Sequence, residues 1–173
     1  MVHDSCHKEP MTMYIREMTP DDVGEVAAVH ASAGAVAYRD YGQDAVAEWI
    51  REFASPEHII ERLEASQLGL VAVDDQNCVV GSILIGSATR GSNVIGGLYV
   101  SNRGRGVGTS LLHEALGWLR CSGSERARAL IMEHNEAAMW FFTCHGFSLG
   151  DLVPSAMFAP SGRAREMWLP LKV

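Results

Sequence analysis

The segment Arg103-Gly104-Arg105-Gly106-Val107-Gly108-Thr109 sets three glycines and two guanidinium groups between an apolar run, Leu98-Tyr99-Val100, and a helix-patterned stretch from Leu111 to Arg120. A strand that turns into a helix through such a loop leaves the first backbone N–H groups of the helix without intrahelical partners, at the positive end of its dipole. That arrangement binds anions, phosphates above all. Glycine at 106 and 108 allows positive φ and close approach of a bulky ligand, while Arg103 and Arg105 supply charge-assisted donors. Two other phosphate loops do not fit. No Gly-Lys-Ser/Thr opens the helix, and Thr109 stands where a GxGxxG dinucleotide loop needs its third glycine.

A second segment, Asn135-x-x-Ala138-x-x-Phe141-Phe142-x-x-His145-Gly146-Phe147, reads as a capped helix. Asn135 suits an N-cap, Ala138, Phe141, Phe142 and His145 fall on one face, and Gly146 suits the residue just past the helix end. Together, Arg-x-x-Gly-x-Gly at 103–108 and this segment resemble the GCN5-related N-acetyltransferase (GNAT) family. The first resembles its acyl-coenzyme A pyrophosphate loop, the second its downstream pattern Asn-x-x-Ala-x-x-Phe-Tyr-x-x-x-Gly-Phe. Tyr14-Ile15-Arg16, Asp74-Asp75 ahead of Val79-Val80-Gly81, and Met167-Trp168-Leu169-Pro170-Leu171 extend the match over roughly residues 13–173.

The resemblance implies an acetyl-coenzyme A-dependent N-acetyltransferase acting on a primary amine of a small molecule or peptide, with acetyl-CoA as co-substrate and a homodimer as a common assembly. Carried over by position, the cofactor-binding residues are Leu98, Tyr99, Val100, Arg103, Gly104, Arg105, Gly106, Val107, Gly108, Thr109, Asn135 and Phe142. In the family, two neighbouring strands splay where the pantetheine arm inserts; here these are the strands ending at Val100 and Glu133. Backbone groups near Leu98-Tyr99-Val100 would hold the arm and polarise the thioester carbonyl. Gly96-Gly97 just upstream is consistent with a bulge, or equally with close packing.

The departure from the family lies in its acid–base groups. The residue after Phe141 is usually a Tyr that protonates the leaving thiolate; here it is Phe142. The strand Val94–Leu98 carries no carboxylate to act as base. Glu133 and His134, at the end of a strand and beside the Asn135 cap, are the candidate catalytic residues. His134 has a suitable intrinsic pKa, and Glu133 can act through water; both are alternatively polar residues of a strand–helix junction. Tyr99 is a further possible proton donor or a structural aromatic. Because Phe142 has no proton to give, the alternative function is an acyl-coenzyme A-binding sensor or regulatory module with little turnover.

The elements that must position these groups follow from the pattern. Thr19-Pro20-Asp21-Asp22 reads as a helix start with Thr19 as N-cap, and Val23, Val26, Ala27 and His30 share a face of that helix. Further helices are expected over 43–53 and from Ser55-Pro56-Glu57. Strands are expected at Leu68–Val73 and Cys78–Ile85 around a turn at 74–77, then a loop at Ser87–Asn93 and a strand at Val94–Val100. The helix after the phosphate loop buries Val107, Leu111, Leu112, Ala115 and Leu119. Strands at Ala127–Glu133, Phe147–Val153 and Arg165–Leu171 complete the fold. The order predicts a single GNAT-like α/β domain with a mixed, mostly antiparallel sheet flanked by helices.

Residues 1–12 read as an N-terminal extension ahead of that domain at 13–173. His3, Cys6 and His7 on this arm are incidental, and no metal is expected. The chain has 173 residues, 47% of them hydrophobic, enough for one domain with a substantial core. No apolar stretch reaches the length of a membrane span and the N-terminus lacks a signal-peptide core, so no membrane partner is expected. Cys6, Cys78, Cys121 and Cys144 show no CxxC spacing and read as free thiols, which predicts a cytoplasmic protein. A net charge of −7 argues against nucleic acid. Residues 1–80 hold 15 acidic and 5 basic side chains, whereas residues 81–173 hold 6 and 9, so the half with the phosphate loop is the basic half. In the family the N-terminal helices help wall the acceptor site, so the resemblance implies that an acidic N-terminal half favours a cationic amine; alternatively its carboxylates are solvated helix faces.

Overall fold

The computed structural model describes residues 12–87, 92–101 and 103–171. The N-terminal arm with His3, Cys6 and His7 lies outside the described residues, as do residues 88–91 of the loop expected at Ser87–Asn93. The flanking Ser87 and Asn93 are in strands rather than loop.

The chain runs β1 (Met13–Glu17), α1 (Val23–Ala37), α2 (Gln43–Phe53), α3 (Pro56–Ala65), β2 (Ser66–Asp74), β3 (Val79–Ser87), β4 (Ser92–Val100), α4 (Val107–Cys121), β5 (Arg126–Met132), α5 (Glu136–Cys144), β6 (Ser148–Pro154) and β7 (Arg163–Pro170). The strands form one seven-stranded sheet in the order β1-β2-β3-β4-β5-β7-β6. Every pair is antiparallel except β4–β5. The mixed, mostly antiparallel sheet flanked by helices is the architecture the sequence predicts.

Local chemistry accounts for most boundaries. Asp74 Oδ1 accepts from the backbone N–H groups of Gln76 and Cys78, and Asn77 takes φ 61°, which closes the β2–β3 turn. Ser55 caps α3 by accepting from the His58 N–H at 3.2 Å, with Pro56 in the first turn. Gly146, at φ 86°, ends the segment after α5.

The start at Thr19 keeps its expected cap and differs in its first turn. Residues Pro20–Asp22 form a 3-10 turn ahead of α1 with Thr19 as its N-cap, and Asp22 accepts from the Thr19 hydroxyl. Asp22 is a strong acceptor because it is ionised. Both its oxygens take hydrogen bonds from Arg16 at 2.7 Å, and Thr19 N–H adds a third at 2.8 Å. The Arg16 hydrogen bonds chiefly, with Thr19, draw the buried Asp22 carboxyl down to about 2 against the opposing effect of burial. The cluster fastens β1 to the start of α1.

The sheet buries both faces. On one, α4 and α5 cover Ile83, Ile85, Ile95, Ala127, Ala129 and Met167 with Leu111, Leu112, Leu119 and Phe142. On the other, α1 and α3 cover Val71, Val73 and Leu84 with Val26 and Ile59. A third cluster joins Tyr38, Val46 and Trp49 to Met132 and Ala164 at one end of the sheet. There α1 and α2 approach so closely that a Cβ at Gly34 would lie 2.1 Å from the Trp49 ring.

That contact decides the sign of a simple substitution. Alanine gains roughly 0.5–1 kcal/mol over glycine inside a helix. Forcing a methyl group against Trp49, 2% exposed, outweighs it, at about 1–3 kcal/mol for an overpacked core. Gly34→Ala should therefore lower stability in urea denaturation; a stabilised variant would show that the helices do not meet there.

Candidate functional site

The site grows from a fault in the sheet. Strands β4 and β5 pair from Ser92↔Arg126 to Ile95↔Ala129 and no further. Beyond that point β4 keeps its outer neighbour, with Ser82↔Tyr99 and Gly81↔Val100, and β5 keeps its own through Met132↔Ala164. The two strands thus diverge, and the inner edges of Gly96–Val100 and Leu130–Met132 face a gap. The cause is local. Register in β3–β4 slips between Ser82↔Tyr99 and Leu84↔Gly96, and Gly97 sits in this bulge at φ +61°. A bulge bends its strand and strengthens its twist, which turns β4 away from β5.

The bulge is pinned from below by a buried polar chain. The Ser82 hydroxyl lies 3.3 Å from the Gly97 carbonyl and donates to it, and His30 Nε2 lies 2.8 Å from the same hydroxyl. Ser82 has one hydrogen to give, so His30 must donate from Nε2. His30 is 1% exposed, and its ring rests on that of Tyr99 with centroids 4.3 Å apart. Burial above all, aided by the nearby Arg62 and His58 charges, lowers its pKa to about 3. The histidine is a neutral strut.

Between the diverging strands lies a cleft of about 400 Å³. Its far wall is the loop 103–106 and the first turn of α4. Gly106, at φ +78°, is the N-cap residue of α4 and supplies no side-chain cap. The first intrahelical acceptor contact is Ser110 N–H to Gly106 O, leaving the N–H groups at the start of the helix open to a ligand. The opposite wall is α5, whose Asn135 Oδ1 accepts from the Ala138 N–H at 3.2 Å.

Of the residues expected to hold a coenzyme, Leu98, Tyr99, Val100, Arg103, Gly104, Gly106, Val107, Gly108, Thr109, Asn135 and Phe142 line this cleft. Arg105 is exposed and does not line it. Val107 lends backbone only, since its side chain is 1% exposed in the core. Glu133 and His134 are not among the lining residues. Glu133 N–H is bound to the Arg163 carbonyl, and the exposed His134 ring packs near Tyr41, centroids 5.2 Å apart. Phe142 is buried against Phe141 and Phe147.

Tyr38 is the site residue that sequence reasoning missed. It lines the cleft beside Tyr99, and their hydroxyl oxygens are 2.9 Å apart. Residues from around 30–50 and 154–164 meet here. Tyr38 packs on Trp49 and Phe158, Tyr41 stacks on Phe158 at 4.1 Å, and Trp49 Nε1 donates to the Met157 sulfur. A Tyr at the end of an aromatic-rich helix pair was the available signal; its partner lies 61 residues away. Among the described residues, no group of three or more His, Cys, Asp or Glu converges as metal ligands, and no helix is long and apolar enough to cross a membrane.

The neutral strut has a consequence for stability. Between its native pKa of about 3 and the ordinary value of 6.5, the unfolded chain takes up a proton that native His30 refuses. The contribution is complete above pH 6.5 and is lost as pH falls toward 3. From pH 6.5 to 5 the native chain should lose about 1.5–2 kcal/mol. Asp22 acts in the same direction only below its ordinary 3.8, outside this window. Urea titrations at both pH values should show that decline, and His30→Gln, less stable at pH 7, should be flatter; equal slopes would exclude a buried neutral His30.

No curated protein matches the chain. Solved structures do. It is 22% identical to the PaiA N-acetyltransferase of Thermoplasma acidophilum in complex with coenzyme A, over 90% of this chain and 98% of that one, with a TM-score of 0.76. Against Ard1 of Thermoplasma volcanium the values are 21%, 93%, 99% and 0.75. Against an N-acetyltransferase of Staphylococcus aureus Mu50 they are 19%, 93%, 99% and 0.71. These likenesses share the fold. In sequence, the family model "Acetyltransferase (GNAT) family" matches residues 34–147, more than half of the chain and the whole of the splayed strands, the loop 103–109 and the Asn135 helix. The chain belongs to the GNAT acetyltransferase family.

Proposed function

We propose that the protein transfers an acetyl group from acetyl-coenzyme A to a primary amine of a small molecule or peptide. The observation that carries this reading is the continuity of the cleft from the open N–H groups at Gly106–Thr109 to the unpaired edge of β4 at Gly96–Val100. One end suits a pyrophosphate, the other an extended amide-bearing arm that needs strand-like hydrogen bonds.

The bound coenzyme would supply an activated acetyl thioester. Around it, the chain's own groups do the rest. The loop N–H groups and Arg103 hold the phosphates by charge-assisted hydrogen bonds. The free inner edge of β4 pairs with the pantetheine amides as it would with a strand, and a backbone N–H near Leu98 polarises the carbonyl. Asn135 fixes the first turn of α5 along the opposite side. Ala33, Ala37 and Tyr38 of the α1 side leave the acceptor an approach from the aromatic end. Holding the amine against the thioester in this way converts a bimolecular step into an oriented one.

Glu133 and His134, on the turn between β5 and α5, do not line the cleft and are not assigned the amine's proton. Phe142 brings no proton. A thiolate whose conjugate acid has a pKa of about 8.5 leaves tolerably without one.

The loop provides the test. Valine at 106 would be strained at φ +78° and would place its branches where the phosphates approach. With donors of roughly 1.5–3 kcal/mol each at stake, Gly106→Val should weaken acetyl-coenzyme A binding tens-fold or more in calorimetry, in a variant shown to be folded by circular dichroism. Undiminished affinity would refute the loop assignment. Tight binding by the native protein with no thiol release across polyamines, amino acids, aminoglycosides and peptide N-termini would make it a coenzyme-binding module instead.

A further inference from the structure

We infer that Tyr99, backed by Tyr38, is the proton-transferring group of this site, standing in for the hydroxyl that Phe142 lacks. The inference rests on the acetyl-transfer reading above. It starts from the paired hydroxyls, 2.9 Å apart, of two residues that both line the cleft. Tyr38 is 5% exposed, and its oxygen has no other hydrogen-bond partner among the described residues. Tyr99 is half-buried and faces the gap from the unpaired stretch of β4. Either oxygen can donate in this hydrogen bond; with the more enclosed Tyr38 as donor, Tyr99 accepts. That leaves the Tyr99 hydrogen free to point into the cleft.

The surroundings favour this division. Tyr99 sits two residues beyond the Gly97 bulge, on the strand whose edge would carry the thioester, and its ring is held by His30 on one side and Trp49 on the other. Burial raises both phenols above their ordinary value, which keeps them protonated at neutral pH. Arg62 on α3 works the other way on both phenols, whereas the hydrogen bond between them favours the phenolate of Tyr99 alone. Tyr99 is thus the phenol of the pair whose anion the other supports. Among the described residues it meets the neutral His30 of α1, Tyr38, Ser82 of β3, Trp49 of α2 and Arg62 of α3.

The step balances without any further reactant. The amine nitrogen forms its bond to the carbonyl carbon, the carbon–sulfur bond breaks, and its electron pair leaves on sulfur. Tyr99 gives its hydroxyl proton to that sulfur, and its oxygen takes the proton shed by the nitrogen. Tyr38 holds a hydrogen bond to the oxygen while it carries charge. The products are an amide and a free thiol, and Tyr99 is returned to its starting state.

Tyr99→Phe removes one oxygen and leaves the ring between His30 and Trp49. In thiol-release assays with acetyl-coenzyme A and hydroxylamine, spermidine and a free tripeptide as acceptors, kcat should fall about 10²-fold or more, while calorimetric affinity for acetyl-coenzyme A is retained. Tyr38→Phe should lower kcat less, again without a change in affinity. Adding Phe142→Tyr to Tyr99→Phe should recover turnover by returning a hydroxyl to the other wall. Native kcat in a folded Tyr99→Phe protein that still binds the coenzyme overturns the inference and leaves acetyl transfer standing. A native protein that neither binds acetyl-coenzyme A nor releases thiol with any of the three acceptors overturns both.

Discussion

The architecture turns on one interrupted interaction, the hydrogen-bond ladder between β4 and β5. A parallel pair in the middle of a sheet is ordinarily buried and fully bonded, because an unpaired backbone group away from water is costly. Here pairing stops at Ile95↔Ala129 while both strands keep their outer partners. The sheet therefore contains two inner edges that water or a ligand must satisfy. Everything around the cleft maintains that condition. The Gly97 bulge bends β4, Ser82 and His30 hold the bulge carbonyl, and α4 and α5 flank the gap while packing on the strands beside it.

The buried polar groups divide by charge state. Asp22 is held ionised by Arg16, because two direct hydrogen bonds and a backbone N–H more than offset its burial. His30 is held neutral chiefly by burial, with the charges of Arg62 and His58 adding to it, while its Nε2 meets only a hydroxyl. The first group links β1 to α1 at the edge of the sheet; the second supports the strand at its centre. Each is bonded directly to a neighbouring side chain, which suits groups that fix geometry rather than exchange protons.

How much of this the sequence discloses depends on the range of the interaction. The phosphate loop, the Asn135 cap, the Ser55 cap and the α4 face repeat within a few residues, and each is legible as a local pattern. The fold class follows from the order of elements. The Thr19 cap is legible in the same way, but Arg16, which holds the Asp22 of that first turn ionised, comes from another element. The Tyr38–Tyr99 and His30–Ser82 pairs span 61 and 52 residues, so nothing local announces them. Glu133 and His134 look central because they adjoin the cap. The chain turns at that point, which sends His134 toward Tyr41 and leaves the wall to Leu130, Ile131 and Met132.

The aromatic cluster at the end of the sheet carries a consequence for how such a protein diversifies. Tyr38, Tyr41 and Trp49 come from the first third of the chain, and Met157 and Phe158 from the last tenth. The loop 103–109 and the Asn135 helix lie between them in sequence and contribute nothing to that cluster. Substitutions that reshape the aromatic wall can thus fall at both ends of the chain without touching the loop 103–109 or the Asn135 helix. The central segment joins that cluster only through Tyr99 of β4 and Met132 of β5. The two peripheral stretches can therefore vary the shape of one end of the cleft as long as those two contacts are kept.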